Sequence, residues 1–318
     1  MCEVKDLVTV CVLTYNSEET VLETLDSIKN QTYERLRLVI SDDCSPDNTI
    51  EKCNVWVNEN RGRFESVDIL TVPKNTGVSA NCNRAVDAAQ GKWLKFIAGD
   101  DILNPDAIET LVSVADELTY DKYFIGSFVQ PFNEVGDMPR QSFREEELAA
   151  FSRIQDSEKQ LEVIRCNNPI LAPTVLFPTE VFKNIRFDES FTFAEDYPMF
   201  VNMLAAGYRY VNIDKPLVRY RISTTSISNE GKAEKLFTAF YIRKRLLEET
   251  FQLPYVGFAV RSKLNSDYYI RVMFDKLGLN KKTKVCQILF SIFLRLNPFF
   301  HLGTRSYKSM LKKYQKTI

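Results

Sequence analysis

The sequence predicts an α/β fold: a mainly parallel sheet flanked by helices, followed by a helical C-terminal appendage. Three observations predict it. Short apolar runs alternate with stretches of helical spacing through the first hundred or so residues. Those runs are apolar throughout rather than at every second residue, as in strands covered on both faces. Several of them stop at acids, which gathers negative charge at one edge of the sheet. Repeated βα units are joined by right-handed crossovers, and ligands collect at the carboxyl ends of their strands.

Residues 8–13 are the first expected strand, followed by Thr14-Tyr15-Asn16-Ser17, where Asn16 and Glu19 have the spacing of a helix-capping box. Val21, Leu22, Leu25 and Ile28 then keep helical spacing up to Gln31. Residues 36–40 form the second strand, ending in Asp42 and Asp43, and Ser45-Pro46-Asp47-Asn48-Thr49 carries turn and helix-start chemistry. A third strand is expected at 67–72, stopping at Pro73, then an Ala-rich helix at 78–89 that Gly91 ends. The fourth strand, 93–97, delivers Asp100 and Asp101, and Asn104-Pro105 opens another helix with Asn104 as its cap. Residues 133–159 are polar and charged and read as a mobile loop leading into a helix. A strand is expected at 174–177, a helix from Glu195-Asp196 to Gly207, and two strands at 208–213 and 217–222. A polar linker at 224–231 divides a first domain, 1–225, from a helical, basic region, 226–318.

An acid pair alone is usually a solvated turn or a cap. Here Tyr15, Asp42, Asp43, Asp100 and Asp101 all fall at strand carboxyl ends, so residues far apart in sequence are expected to form one site. Adjacent carboxylates there suit a hard divalent cation, Mg²⁺ or Mn²⁺, which keeps open positions for phosphate oxygens. A hydrophobic content of 45% with a formal charge of −1 excludes disorder and a general nucleic-acid surface. Seven cysteines without CxxC spacing read as reduced thiols, and the opening residues carry no signal-peptide pattern, so a cytoplasmic chain is expected. The single histidine, His301, leaves no material for a Ser-His-Asp triad or a multi-histidine zinc site; catalysis falls to carboxylates. No GxGxxG follows the first strand, which disfavours a dinucleotide dehydrogenase.

Five ordered segments complete the reading: Val10-Cys11-Val12-Leu13-Thr14-Tyr15-Asn16, Ser41-Asp42-Asp43-Cys44-Ser45-Pro46-Asp47, Asn75-Thr76-Gly77-Val78-Ser79, Ala98-Gly99-Asp100-Asp101 and Glu195-Asp196. Through them, residues 7–225 resemble the family 2 glycosyltransferases, which have the Rossmann-like GT-A fold. The resemblance implies an inverting transferase that moves a sugar from a nucleotide diphosphate donor to an acceptor hydroxyl with a divalent metal. The Gln-x-x-Arg-Trp signature of processive members is absent, which implies transfer of one sugar. Ala98 stands where the family often has an acid, and Ser223 where a histidine often follows the arginine.

On this resemblance Asp43 binds the nucleobase, since a carboxylate accepts from the N3–H of uracil or thymine, and UDP- or dTDP-type donors are expected. Thr14 and Tyr15 line the base pocket, Asp100 takes the ribose hydroxyls, Asp101 the metal, and Arg221 the diphosphate. Asp196 is the general base and Glu195 holds the acceptor. Each has a structural alternative: Asp42 and Asp43 as caps of the helix after Pro46, Tyr15 as packing, Asp100 and Asp101 as helix caps, Glu195 and Asp196 as a first-turn dipole pairing, Arg221 as a surface residue. Two other functional classes stay open: a sugar-phosphate nucleotidyltransferase, whose glycine-rich basic loop is missing near Leu13, and an inactive nucleotide-binding assembly subunit.

Residues 285–300 are rich in Ile, Leu and Phe, with Gln287, Ser291 and Arg295 forming one polar stripe at four-residue steps. Lysines and arginines flank the stretch across residues 281–316. This reads as a basic amphipathic element lying on the cytoplasmic face of a membrane, within reach of a lipid-linked saccharide acceptor. A helix buried against the first domain or in a homodimer is the alternative.

Overall fold

The computed structural model describes residues 5–139, 145–191, 194–222, 235–238 and 240–315. Two compact units divide the chain, residues 1–152 with 170–222, and residues 153–169 with 223–318. The stretch at 224–231, where the linker is expected, lies outside the described residues, as do Thr192 and Phe193.

The first unit runs β1 (Val8–Thr14), α1 (Val21–Lys29), β2 (Leu36–Asp42), α2 (Thr49–Asn60), β3 (Ser66–Leu70), α3 (Val78–Ala88), β4 (Trp93–Ala98), β5 (Ile102–Leu103), α4 (Ala107–Glu117), β6 (Tyr123–Asn133), β7 (Gly136–Asp137) and α5 (Glu145–Ser152). After α6 (Ser157–Cys166) of the second unit it resumes with β8 (Leu176–Pro178), α7 (Asp196–Ala205) and β9 (Arg209–Arg221). The sheet order is β3-β2-β1-β4-β8-β6-β9-β5, with β7 paired to β6. The half from β3 to β4 is parallel, as the continuously apolar strands predict. Beyond it β8 lies antiparallel between β4 and β6, so the whole sheet is mixed. Val10, Val12, Leu38, Ile40 and Leu25 are fully buried at its centre. Each such side chain contributes roughly 1.5–3 kcal/mol through burial.

Registry sets the site. Thr14 pairs with Asp42 and Leu13 with Ala98, so three strands end level and release their loops at one edge. Gly99 leaves room there: a Cβ would stand 3.0 Å from Ser17 Oγ and 3.0 Å from Thr14 Cγ2, so those side chains would have to shift. Two threonines four residues apart on the α1 side then hold the turn: Thr20 donates to the Gly99 carbonyl and Thr24 to that of Asp101, both at 2.7 Å.

Three local expectations change. The Asn16–Glu19 box does not form; α1 starts at Val21, and the N–H groups of Asn16, Ser17 and Glu18 donate instead to Ser45 Oγ, Thr49 Oγ1 and Asp47 Oδ2. Asn104 does not cap α4, which follows Asp106; Asn104 Nδ2 donates to the Pro216 carbonyl, and Gln31 Oε1 accepts the Ile108 N–H. The strands expected at 208–213 and 217–222 are one strand, β9. Asp214-Lys215-Pro216, which reads as a turn, is absorbed by register shifts opposite Ser127 to Val129.

The second unit holds α6, α8 (Phe240–Leu247), α9 (Phe258–Lys276), α10 (Lys284–Leu296) and α11 (Pro298–Gln315). Gly303 lets α11 approach α9, where a Cβ would meet Lys263 Cβ at 2.5 Å. The apolar run at 285–300 is broken by Pro298, which opens α11 while Asn297 Oδ1 accepts the N–H groups of Phe299 and Phe300. The two helices meet at 56°.

Candidate active site

Asp42 and Asp43 leave β2 with different tasks. Asp42 accepts Thr14 Oγ1 at 2.8 Å, the Ser45 N–H at 2.8 Å and Ser45 Oγ at 2.5 Å, closing the loop that carries Ser45. Asp43 faces the other way. Its carboxylate accepts the N–H groups of Thr76 and Gly77, Thr76 Oγ1 at 2.5 Å and, at 3.2 Å, Arg84 Nη2 from α3. Neither caps α2, whose first N–H donates to Asp47 Oδ1. Tyr15 is 49% exposed at the mouth of this edge, which removes the core-packing alternative.

Asp101 is 1% exposed and Asp100 half-buried. Asp101 Oδ1 accepts the Arg221 N–H at 2.9 Å, so the end of β9 is pinned to it. The Arg221 side chain is half-buried, 16% exposed, rather than free at the surface. Its Nε donates to the Asp100 carbonyl at 2.8 Å, its Nη2 to Glu23 Oε2 at 2.6 Å, and its plane lies 4.5 Å from the Phe132 ring centre. Burial, and then the neighbouring Asp100, push the Asp101 carboxyl up to about 8; burial also raises Asp100. Behind them Lys95 is fully buried in β4, its Nζ donating to the carbonyls of Phe96 and Pro173, and burial pushes its ammonium down to about 7. Two adjacent acids this dry fit a divalent cation, whose charge offsets their desolvation and mutual repulsion. Among the described residues no group of three or more His, Cys, Asp or Glu side chains is arranged to hold a metal alone. A cation at Asp100 and Asp101 would thus take its remaining ligands from a bound diphosphate and water.

Glu195 and Asp196 arrive where α7 begins. Asp196 is its first residue and accepts the Tyr197 N–H at 2.8 Å, and the approach is tied to α3 by Ser79 Oγ, which donates to the Phe191 carbonyl at 2.7 Å. The helix N-terminus favours the negative charge, so the dipole pairing holds alongside any chemistry. Burial, then Asp196, push Glu195 up to about 7, and burial raises Asp196. Both acids also act on the Cys82 thiol of α3. Burial lifts the Tyr220 phenol to about 12, and after burial the causes are, in falling order, the charges of Asp101, Asp100, Asp196 and Glu195. Four acids, two just past the end of β4 and two where α7 begins, thus lie within electrostatic reach of one tyrosine of β9.

A stability prediction follows for Glu195. Its folded pKa lies above the unfolded value of about 4.3, so the native state keeps a proton that the unfolded chain has released; stability falls as pH rises and the loss is complete above about 7. Glu195→Gln is expected to raise Tm at pH 8 and to leave it unchanged at pH 4 in thermal melts. Equal shifts at both pH values would contradict the buried-acid account.

Sequence reasoning missed three participants. Arg84 gathers Ser41 Oγ, Asn81 Oδ1 and Asp43 from an otherwise ordinary helix. Glu23 holds Arg221 across 198 residues of chain. Tyr220 was legible only as part of a motif. A groove of about 500 Å³ on the outer side of α3, lined by Leu70, Asn83, Arg84 and Arg186 among others, does not include the four acids.

The chain matches the family model described as glycosyl transferase family 2 over residues 9–173. It is 27% identical over 249 residues to the amylovoran biosynthesis glycosyltransferase AmsB of Erwinia amylovora, covering 73% of this chain and 75% of that one. Among solved structures, S. aureus TarS 1–349 in complex with UDP-GlcNAc superimposes with a TM-score of 0.59 at 20% identity, covering 98% of this chain and 91% of that one. In a longer TarS structure this chain spans 55% of the length. The mannosyltransferase PcManGT of Pyrobaculum calidifontis, in complex with GDP-Man and Mn²⁺, gives 0.58 at 16% identity, covering 99% and 88%. These likenesses at low identity establish the GT-A architecture.

Proposed function

The chain belongs to glycosyl transferase family 2, and from that premise we propose that its site moves one sugar, with inversion, from a uridine or thymidine diphosphate sugar to a hydroxyl of a lipid-linked saccharide. Sugar transfer from a nucleotide-sugar donor in polysaccharide biosynthesis is the activity its relatives carry. The observation that supports the finer reading is that Asp100, Asp101, Glu195 and Asp196, from distant parts of the chain, all lie within electrostatic reach of Tyr220.

On this proposal the nucleobase enters beside Thr14 and Tyr15, and its imide N–H reaches Asp43 by displacing one of the four donors that fill this carboxylate, such as Arg84. The clamp from Asp43 to Thr76, Gly77 and Arg84 keeps that wall in place before the donor arrives. Asp100 takes the ribose hydroxyls, Asp101 the Mg²⁺ or Mn²⁺, and Arg221 sets a fixed positive charge beside the diphosphate. The bound cation offsets the charge that gathers on the departing nucleoside diphosphate. Glu195 orients the acceptor. Asp196 removes the hydroxyl proton as that oxygen attacks the anomeric carbon from the face opposite the diphosphate, so a single displacement inverts the centre.

Nucleotide release from UDP-, dTDP- and GDP-sugars, each with and without Mn²⁺, tests the reading. Metal-dependent release of UDP or dTDP, accelerated by a saccharide acceptor, is expected. Release of GDP alone would overturn the base assignment, and no release from any donor would overturn the transferase reading.

A further inference from the structure

We propose that the outer face of the α10–α11 pair docks on an anionic lipid surface. α10 is apolar on two separate sides. One side packs inward within the second unit: Phe290 lies 5.2 Å from Phe274 and 5.3 Å from Phe237, and Phe293, at its edge and 45% exposed, lies 5.6 Å from Phe274. Among the described residues the other side has no such ring contact. Val285, Ile288, Ile292 and Leu296 recur at steps of three and four, and they are 66%, 59%, 44% and 76% exposed. Past the 56° bend, exposed Phe299 and Leu302 prolong the apolar surface. A contiguous aliphatic surface of this kind marks a contact site rather than a solvated face.

Charge selects the occupant. From Lys276 to the last residue the sequence carries ten lysines and arginines and not one aspartate or glutamate, in a chain whose formal charge is −1. Lys281, Lys282 and Lys284 stand exposed where the apolar stripe begins, and Arg305, Lys308 and Lys312 stand exposed beyond its end. A second copy meeting this face about a twofold axis would bring like charge against like charge. An anionic leaflet would instead neutralise the lysines while the aliphatic stripe enters the acyl boundary, the arrangement of an interfacial helix. No single described helix is long and apolar enough to cross a bilayer; α10 and α11 pass that measure only as a pair bent by 56°, and the lysines at both ends of the stripe favour lying along the surface.

Flotation of the full chain with vesicles of phosphatidylcholine, and of phosphatidylcholine with about 30% phosphatidylglycerol, tests the proposal. The chain is expected to float with the anionic vesicles and to be released by high salt and by pure phosphatidylcholine. Lys281→Gln with Lys282→Gln should lower partition about thirtyfold, and Ile288→Ser with Ile292→Ser should lower it by roughly tenfold or more. All four side chains are exposed, so unchanged circular dichroism and Tm are the folding control. Undiminished flotation of both variants, or no flotation of the wild type, would overturn the proposal. So would a dimer that Ile288→Ser with Ile292→Ser dissociates in the absence of any lipid binding, since that assigns the face to a second copy. Metal-dependent hydrolysis of the soluble donor should proceed at the wild-type rate in both variants, so a failure here is separate from a failure of the transferase reading.

Discussion

Asp196→Asn is expected to lower kcat by about 10²–10⁴-fold, the range of a lost general base, while the affinity for nucleoside diphosphate and Mn²⁺ stays within a few-fold of wild type. The asparagine retains an oxygen to accept the Tyr197 N–H, so the start of α7 is preserved. It also removes a charge that burial penalises, so Tm should hold or rise rather than fall. Activity and stability therefore move apart, which separates loss of chemistry from loss of fold. Wild-type kcat/KM should climb with pH over a range above that of an ordinary carboxylate, because burial raises Asp196 and the base acts only once its proton is gone. Steady-state rates beside thermal melts with UDP and Mn²⁺ measure both halves. A variant retaining activity within about threefold would remove Asp196 from the chemistry.

The second large effect belongs to Asp101→Asn. It is expected to abolish metal-dependent turnover and, more tellingly, the thermal shift that a nucleoside diphosphate produces together with Mn²⁺. In the wild type a complex at a hundred times its dissociation constant stabilises the fold by about 2.7 kcal/mol. That increment should vanish. Without ligand the variant should be no less stable than the wild type, since Asp101 lies dry against Asp100 and an amide ends their repulsion while its oxygen still accepts the Arg221 N–H. A surviving Mn²⁺-dependent shift would show that the cation sits elsewhere.

The parts of this chain that could be read from its sequence are those governed by local period. The apolar runs of β1, β2 and β4 and the helices between them appear within a residue or two of expectation, because a covered parallel strand needs an uninterrupted apolar run. That Asp43, Asp100 and Asp101 share an edge followed from topology alone, since parallel strands in register end together. What could not be read rests on contacts between distant segments. Nothing near Asn16 announces that the turn before α1 is held by the loop around Ser45 and Thr49, and nothing near Asn104 announces that Gln31 does its work. Asp214-Lys215-Pro216 carries every local mark of a turn, yet pairing along β6 holds it inside one strand. Arg84 and Glu23 have no local signature at all; their importance comes from the carboxylate and the guanidinium they meet.

The three-residue antiparallel seam between β4 and β8 bears on how such chains diversify. Apart from Arg221, every residue assigned to the nucleotide precedes it, and the acids assigned to acceptor and proton follow it. Recombination between cousins at the connection from α4 to β6 would therefore shuffle the hydroxyl being glycosylated while each hybrid inherits the base, ribose and metal residues from one parent and only Arg221 from the other.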